Sequence, residues 1–187
     1  MIKKLLFPAL VGAMTMFAAC ESDPCADLEG KCGSGSCFEG TCVCDQGYEA
    51  DAAGVCNVEW SAKFVGEYIG RDTSVSDNPD FSGIFELPPT DPCEIRRVSE
   101  SQVSIINLGY FGAQFTANVS KLNASDESAL LIEFVDVLDN NNDKWSGSLR
   151  YDPVTKKLSG TYRLIDYKDA SGGFWTVDSK FVYTKNN

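Results

Sequence analysis

The sequence predicts a mainly β protein, in which a small disulfide-rich module precedes an antiparallel β-barrel or sandwich. Seven of the eight cysteines lie between Cys20 and Cys56, and the eighth is Cys93. After Cys56, short runs of alternating or β-branched residues are separated by polar turn clusters, which is typical of an antiparallel meander. No segment has the sustained apolar period of a helix.

Eight strands are predicted in this second part. They fall at residues 62–70, 93–99, 101–108, 113–121, 128–137, 145–152, 157–166 and 174–184. The turn clusters between them are rich in Asn, Asp, Ser, Gly and Pro, which accept tight turns at little steric cost. The division is therefore a disulfide module over residues 25–56 and an all-β domain over residues 57–187.

The N-terminus has the pattern of an export signal. Lys3 and Lys4 give a short positive start, and residues 5–18 are predominantly apolar. That run is shorter than the roughly 20 residues of a membrane-spanning helix. A charged start, a short apolar run and small residues at its end predict a signal peptide over residues 1–19.

The residues at the end of this signal indicate a lipid anchor. Phe17-Ala18-Ala19-Cys20 resembles the lipobox of bacterial lipoproteins, which implies fatty acylation, such as palmitate, at Cys20. Several acyl chains on one residue anchor a protein stably, whereas a single chain binds a membrane only marginally. Residues 20–24 are then a lipidated tether. An ordinary secretory signal cut after Ala19 is the alternative.

The tether begins with acidic residues. Glu21-Ser22-Asp23 resembles the surface-export signal of Bacteroidetes lipoproteins, which implies the outer face of the outer membrane. The other interpretation of these residues is a solvated tether.

The next six cysteines have the spacing C-x6-C-x4-C-x4-C-x-C-x11-C, which by itself allows fifteen pairings. The segment from Cys42 to Tyr48, followed by Gly54-Val55-Cys56, resembles the end of an EGF-like domain. This resemblance implies the pairs Cys25–Cys37, Cys32–Cys42 and Cys44–Cys56. A zinc site needs reduced thiolates and usually C-x2-C pairs, which this segment lacks. No metal is expected.

The all-β part resembles the small lipocalin-like domains of Bacteroidetes lipoproteins. The resemblance depends on Leu158-Ser159-Gly160-Thr161-Tyr162, on Phe64-Val65-Gly66-Glu67-Tyr68, and on a last strand ending at Lys185. This resemblance supports the prediction of a barrel fold more than the prediction of an activity. Members often pair an early cysteine with one in the last strand. Ser179 occupies the second place here, so Cys93 is expected to be unpaired.

The longest connection, residues 71–92, is a candidate contact loop. Its apolar residues include Phe81, Phe85 and Leu87 amid acids and prolines. Long loops are often functional. An alternative is a lid whose aromatic side chains plug one end of the barrel.

Asp139, Asn141 and Asp143 alternate like the start of a calcium loop. Lys144 and Arg150, however, occupy the positions of the glycine and the bidentate glutamate of such a loop. A polar hairpin turn is the favoured interpretation.

The amino-acid composition disfavours several classes of function. The chain has no histidine, which removes the commonest general base, and no nucleophile with a recognisable base partner. Its net charge of −11 becomes −13 without residues 1–19, and so acidic a surface repels nucleic acid. We expect a non-catalytic, cofactor-free surface lipoprotein that binds an unknown protein or glycan. A lipocalin-like carrier of a small apolar ligand is the alternative.

Replacement of Cys20 tests the anchor. Cys20→Ala removes the only thiol in the lipobox, so the variant should incorporate no labelled fatty acid and should keep its signal peptide. Metabolic labelling with palmitate and the mobility of the chain on a gel measure both effects. Cys93→Ser is the control and should label normally. Full labelling of the Cys20 variant would contradict the assignment.

Overall fold

The computed structural model describes residues 23–123, 126–167 and 174–186. The predicted signal peptide, Cys20, Glu21 and Ser22 lie outside the described residues. What is described consists of a small N-terminal region with three disulfides, followed by a closed eight-strand antiparallel β-barrel. Within these residues, no helix has both the length and the apolar character needed to cross a membrane.

The disulfide module consists of two short hairpins. Strands β1 (Gly35–Phe38) and β2 (Thr41–Cys44) form the first hairpin, and β3 (Tyr48–Ala50) and β4 (Cys56–Glu59) form the second. The first turns at Glu39-Gly40, whose φ angles are 48° and 79°. Two successive positive φ values are typical of a type I′ turn, which matches the twist of the flanking strands.

Three disulfides connect these hairpins. The pairs are Cys25–Cys37, Cys32–Cys42 and Cys44–Cys56, which are the pairs that the sequence resemblance implied. They take the place of a hydrophobic core, since Cys32 and Cys56 are the buried apolar residues of the module. Each bridge stabilises a fold of this kind by about 2–4 kcal/mol.

The barrel follows in up-and-down order. Its strands are β5 (Gly66–Ser76), β7 (Cys93–Ser99), β8 (Gln102–Ile106), β9 (Gln114–Asn123), β10 (Asp126–Leu138), β11 (Lys144–Asp152), β12 (Lys157–Tyr167) and β13 (Phe174–Lys185). Each pairs with the next one antiparallel, and β13 pairs with β5 to close the barrel. A ninth strand, β6 (Gly83–Leu87), pairs with β5 alone.

All eight predicted strands overlap a strand of the barrel, but the first was placed wrongly. Residues 61–63 form a 3₁₀ turn, and β5 runs from Gly66 to Ser76. The prediction of a long loop over residues 71–92 is therefore wrong, because most of it is the hairpin β5–β6. Asp72 and Ser74 gave this segment the composition of a loop, yet both side chains are buried inside the barrel.

The barrel interior is packed with large side chains. The fully buried ones include Trp145, Tyr68, Tyr183, Phe64 and Phe181. Trp145 stacks on Phe115 with 5.3 Å between the ring centroids. Close strand contact beside this core requires a glycine at position 160, where a Cβ atom would lie 2.1 Å from the Ser148 carbonyl oxygen. Glycines in strands often mark such a close approach of two backbones.

Cys93 provides a test of the closed barrel. Its thiol is unpaired and completely buried, as the sequence led us to expect, and burial raises its pKa. In a chain that begins at Asp23, we expect no reaction with Ellman's reagent under native conditions. One thiol per chain should react in guanidinium, because the six other cysteines stay oxidised. Fast native labelling, or a bridge from Cys93 to the module on peptide mapping, would show that this arrangement is wrong.

Candidate functional site

The joint between the disulfide module and the barrel centres on Trp60. This residue follows β4 directly, and its side chain is only 6% exposed. Its indole N–H donates to the Tyr48 carbonyl at 3.0 Å, and its backbone N–H donates to the Gly47 carbonyl at 2.8 Å. Lys121 of β9 lies over the ring, with its ammonium 5.7 Å from the centroid. Trp60 therefore joins the second hairpin to the barrel wall.

Two ion pairs and a backbone bond reinforce this joint. The Arg97 guanidinium of β7 donates two hydrogen bonds to the Glu59 carboxylate, one of them at 2.8 Å. These bonds lower the pKa of Glu59. Lys63 pairs with Glu49, and the Ser61 N–H donates to the Glu100 carbonyl at 3.0 Å. Contacts on both sides of Trp60 thus fix the module against the barrel.

A groove lies between the two hairpins of the module, on the side where Lys121 of the barrel approaches them. It has a volume of about 510 Å³, within the range of roughly 300–1,000 Å³ that small-molecule sites occupy. One wall is strand β2 and the other is strand β3, with Lys121 contributed by the barrel. The module therefore supplies most of this concave surface, and the barrel adds Lys121 to its lining.

The module is strongly acidic. Residues 23–59 contain eight acidic side chains and one basic one, which gives a formal charge of −7. Over residues 60–187 the corresponding numbers are 18 and 13, which give −5 for a much longer segment. The negative potential is therefore concentrated in the smaller part, where it attracts cationic partners and repels anionic ones.

The first hairpin presents an apolar face to solvent. Phe38 is 62% exposed and Val43 is 50% exposed. Both lie on the face that Ser36 and Thr41 share, because directly paired residues of a hairpin point to the same side. The cysteines of these strands point to the opposite side. Exposed aromatic and aliphatic residues on a rigid hairpin are suited to protein contact.

The structure does not bring the predicted contact residues together on a loop. Leu87 is buried and Phe81 packs edge-on against Phe111, with centroids 5.8 Å apart. Phe85 pairs with the buried Asp72 across the β5–β6 hairpin, so it faces inward too. Leu87 lies in the barrel core and Phe81 packs against it. The outward residues of β6 are Ile84, with 68% exposure, and Glu86, which pairs with Arg71.

A buried carboxyl inside the barrel was not anticipated from the sequence. Asp72 has no exposed surface, and its two oxygens accept from the Tyr183 hydroxyl at 2.5 Å and the Tyr162 hydroxyl at 2.7 Å. Beside this group, the Ser74 and Ser179 hydroxyls hydrogen-bond to each other at 2.8 Å. The alternation of side chains along β5 could have indicated this buried carboxyl, because Tyr68, Asp72 and Ser74 lie on the same face of the strand.

Burial controls the protonation of this cluster. Desolvation raises the pKa of Asp72, and the hydrogen bonds from the two tyrosines offset it in part. Burial, and then the nearby Asp72 charge, raise the pKa of Tyr162 and Tyr183, so both keep their protons. The Tyr183 hydroxyl also accepts from the Gly109 N–H at 3.2 Å. Each polar group thus has a partner, as buried groups require.

The Asp139 turn is held by its own hydrogen bonds. One Asp139 carboxylate oxygen accepts from the Asn141 and Asp143 N–H groups at 2.7 and 2.9 Å, and the other accepts from the Trp145 indole at 3.0 Å. This is the polar hairpin turn that the sequence favoured. Among the described residues, no group of three or more acidic or cysteine side chains has the arrangement of a metal site.

Comparison of the chain with protein-family models, with curated proteins and with solved structures found no match.

Replacing Asp72 should alter the pH dependence of stability. A raised pKa in the folded state means that the contribution of Asp72 is fully present below its ordinary pKa near 3.8 and is lost as pH rises through the raised value. Asparagine does not ionise. The unfolding free energy of Asp72→Asn relative to the native chain should therefore increase with pH, by up to about 1.4 kcal/mol per pH unit in that window.

Asp178→Asn is the matched control, measured in the same urea titrations. In the native chain, hydrogen bonds from Arg163 lower the pKa of Asp178. The contribution of this carboxylate to stability is therefore present above its ordinary pKa and is lost as pH falls. The relative stability of this variant should decrease as pH rises. If Asp72→Asn behaved in the same way, the tyrosine hydrogen bonds would outweigh the burial of the carboxyl.

Proposed function

We propose that this chain is a non-catalytic surface lipoprotein that binds a protein or a glycan. In this proposal, acylated Cys20 anchors it to the outer membrane, facing outward, with an EGF-like module and a lipocalin-like barrel displayed beyond the tether. The lipobox-like residues support the anchor. The three disulfides support export, since such bridges persist in oxidising compartments.

The observation that carries the binding proposal is the filled barrel. Aromatic rings occupy its interior from end to end, including Phe64, Tyr151 and Tyr68 at one end and Trp145, Phe111 and Phe81 at the other. The buried Asp72 cluster lies between them, satisfied by its own partners. Because the interior is occupied, we expect a ligand to bind to an outer surface.

The most distinctive outer surface is at the module. It combines the exposed Phe38 and Val43, the groove between the two hairpins and the concentrated negative charge. The Trp60 joint holds these features in one geometry before a partner arrives. Such preorganisation favours binding, because less conformational freedom is lost when the complex forms.

The carrier alternative has one observation in its favour. An apolar pocket of about 200 Å³ opens at the barrel end, lined by Lys63, Phe64, Leu130, Tyr151 and Pro153. This volume is below the roughly 300–1,000 Å³ of ordinary ligand sites. It suits a fragment of a few heavy atoms better than a long apolar chain.

Ligand-dependent stability separates the two functions. A ligand that binds only the folded state raises the urea midpoint, by about 2.7 kcal/mol in unfolding free energy at a hundredfold excess over Kd. We expect envelope glycans or purified envelope proteins to raise the midpoint, and decanoic acid to leave it unchanged.

Variants then locate the contact. Phe38→Ser should reduce the stabilisation, whereas Val154→Ser, at a site that is 89% exposed on a barrel turn, should leave it unchanged. A midpoint raised by decanoic acid alone would favour the carrier, and turnover of any substrate would contradict a non-catalytic role.

A further inference from the structure

We infer that the free edge of strand β2 binds an extended, lysine- or arginine-bearing peptide segment of a partner protein, as a third strand of the first hairpin. This inference rests on the proposed function and deepens it, because it names the class of partner and the mode of contact. It depends on the backbone groups of the hairpin, the apolar residues beside them and the charge around them.

The register of the hairpin defines which backbone groups are free. The Asp45 N–H donates to the Ser34 carbonyl at 3.0 Å, so these two residues form a hydrogen-bonded pair. Hydrogen-bonded and non-hydrogen-bonded pairs alternate along an antiparallel ladder. Ser36 and Val43 are therefore bonded to each other, whereas the N–H and C=O groups of Cys42 and Cys44 point away from β1.

These four outward groups are available to a new strand. Within residues 23–123, 126–167 and 174–186, none of them has a hydrogen-bond partner. They line the groove, and its volume of about 510 Å³ leaves room for a short extended segment. On the opposite wall, the outward groups of Tyr48 are already occupied by Asp45 and by the Trp60 indole. Among the described residues that line the groove, Cys42 and Cys44 therefore offer a row of donors and acceptors without partners, whereas Tyr48 on the facing wall offers none.

Side chains beside this edge add an apolar contact. Val43 and Thr41 both point to the exposed face of the hairpin, and Phe38 lies next to Thr41 on the same face. In an added strand, every second side chain lies next to these residues, at the distance of a cross-strand pair. The partner segment should therefore carry a β-branched or aromatic residue opposite Val43.

The negative charge of the module favours a positively charged partner segment. The module has a formal charge of −7, and Glu39 and Asp45 flank the two ends of β2. Lys121 is the basic residue among those lining the groove, and it lies against the Trp60 ring on the barrel side. A cationic segment is drawn to the module by long-range attraction, while an anionic one is repelled. Strand addition to a sheet edge is a recurring mode of peptide recognition.

Nuclear magnetic resonance of the mature ¹⁵N-labelled chain tests this directly. The probe is a synthetic peptide of alternating valine and lysine, and a valine–glutamate peptide of equal length is the charge control. We expect saturable shifts of the Cys42 and Cys44 amide signals and at least a tenfold slowing of their hydrogen exchange with the lysine peptide only.

A third peptide distinguishes strand pairing from electrostatic attraction. It carries N-methyl groups on alternate residues, which removes the donors of one edge while the charge is kept. Binding of this peptide, methylated on the edge that faces β2, should be lost. If it binds as tightly as the parent peptide, or if the shifts avoid Cys42 and Cys44, the inference is overturned.

Two valine variants provide the side-chain test. Val43→Thr keeps the strand preference but replaces a methyl group with a hydroxyl, and it should weaken peptide binding several-fold. Val98→Thr on β7, with a similar exposure of 47%, should leave binding unchanged. Failure of the peptide to bind while envelope glycans still raise the urea midpoint would overturn this inference alone. If the peptide did not bind and the glycans did not raise the urea midpoint, the proposed function would be contradicted as well.

Discussion

The pairing of the first and last barrel strands is the constraint on which the rest of the barrel depends. Strands β5 and β13 pair over nine residue positions, from Tyr68–Lys185 to Ser76–Val177, without a register shift. Gly70 permits this contact, since a Cβ atom there would lie 2.3 Å from the Val182 carbonyl oxygen. Closure removes the two edges that an open sheet would expose, and it brings Asp72 beside the tyrosines that hydrogen-bond to it.

The sequence predicted those features that depend on neighbouring residues. Alternation located the eight barrel strands, and spacing with a family resemblance identified the three disulfides and the unpaired Cys93. The sequence pattern did not indicate the end of β5, because Asp72 and Ser74 are polar residues that are typical of loops. Their burial is stabilised by Tyr162, 90 residues away, and by Tyr183, 111 residues away. No local pattern contains such partners.

The candidate site was less predictable than the fold for the same reason. The groove brings strands β2 and β3 of the module together with Lys121 of β9, which lies far away in the sequence. Phe81, Phe85 and Leu87 were singled out because apolar residues in a long connection suggest contact. In the structure Leu87 lies in the barrel core and Phe81 packs against it, while Phe38 and Val43 are left exposed by a module too small to enclose them.

If the chain is exported as we propose, the position of the buried thiol implies an order of events during its passage across the membrane. A barrel closed by its first and last strands cannot form until the last strand has crossed the membrane, so Cys93 stays accessible to oxidants throughout translocation. The module, by contrast, emerges first, and its bridges span only 12, 10 and 12 residues. Its thiols can pair among themselves before Cys93 arrives. N-terminal placement of the module thus protects the chain from mispairing, because the competing thiols are consumed before the unpaired one emerges.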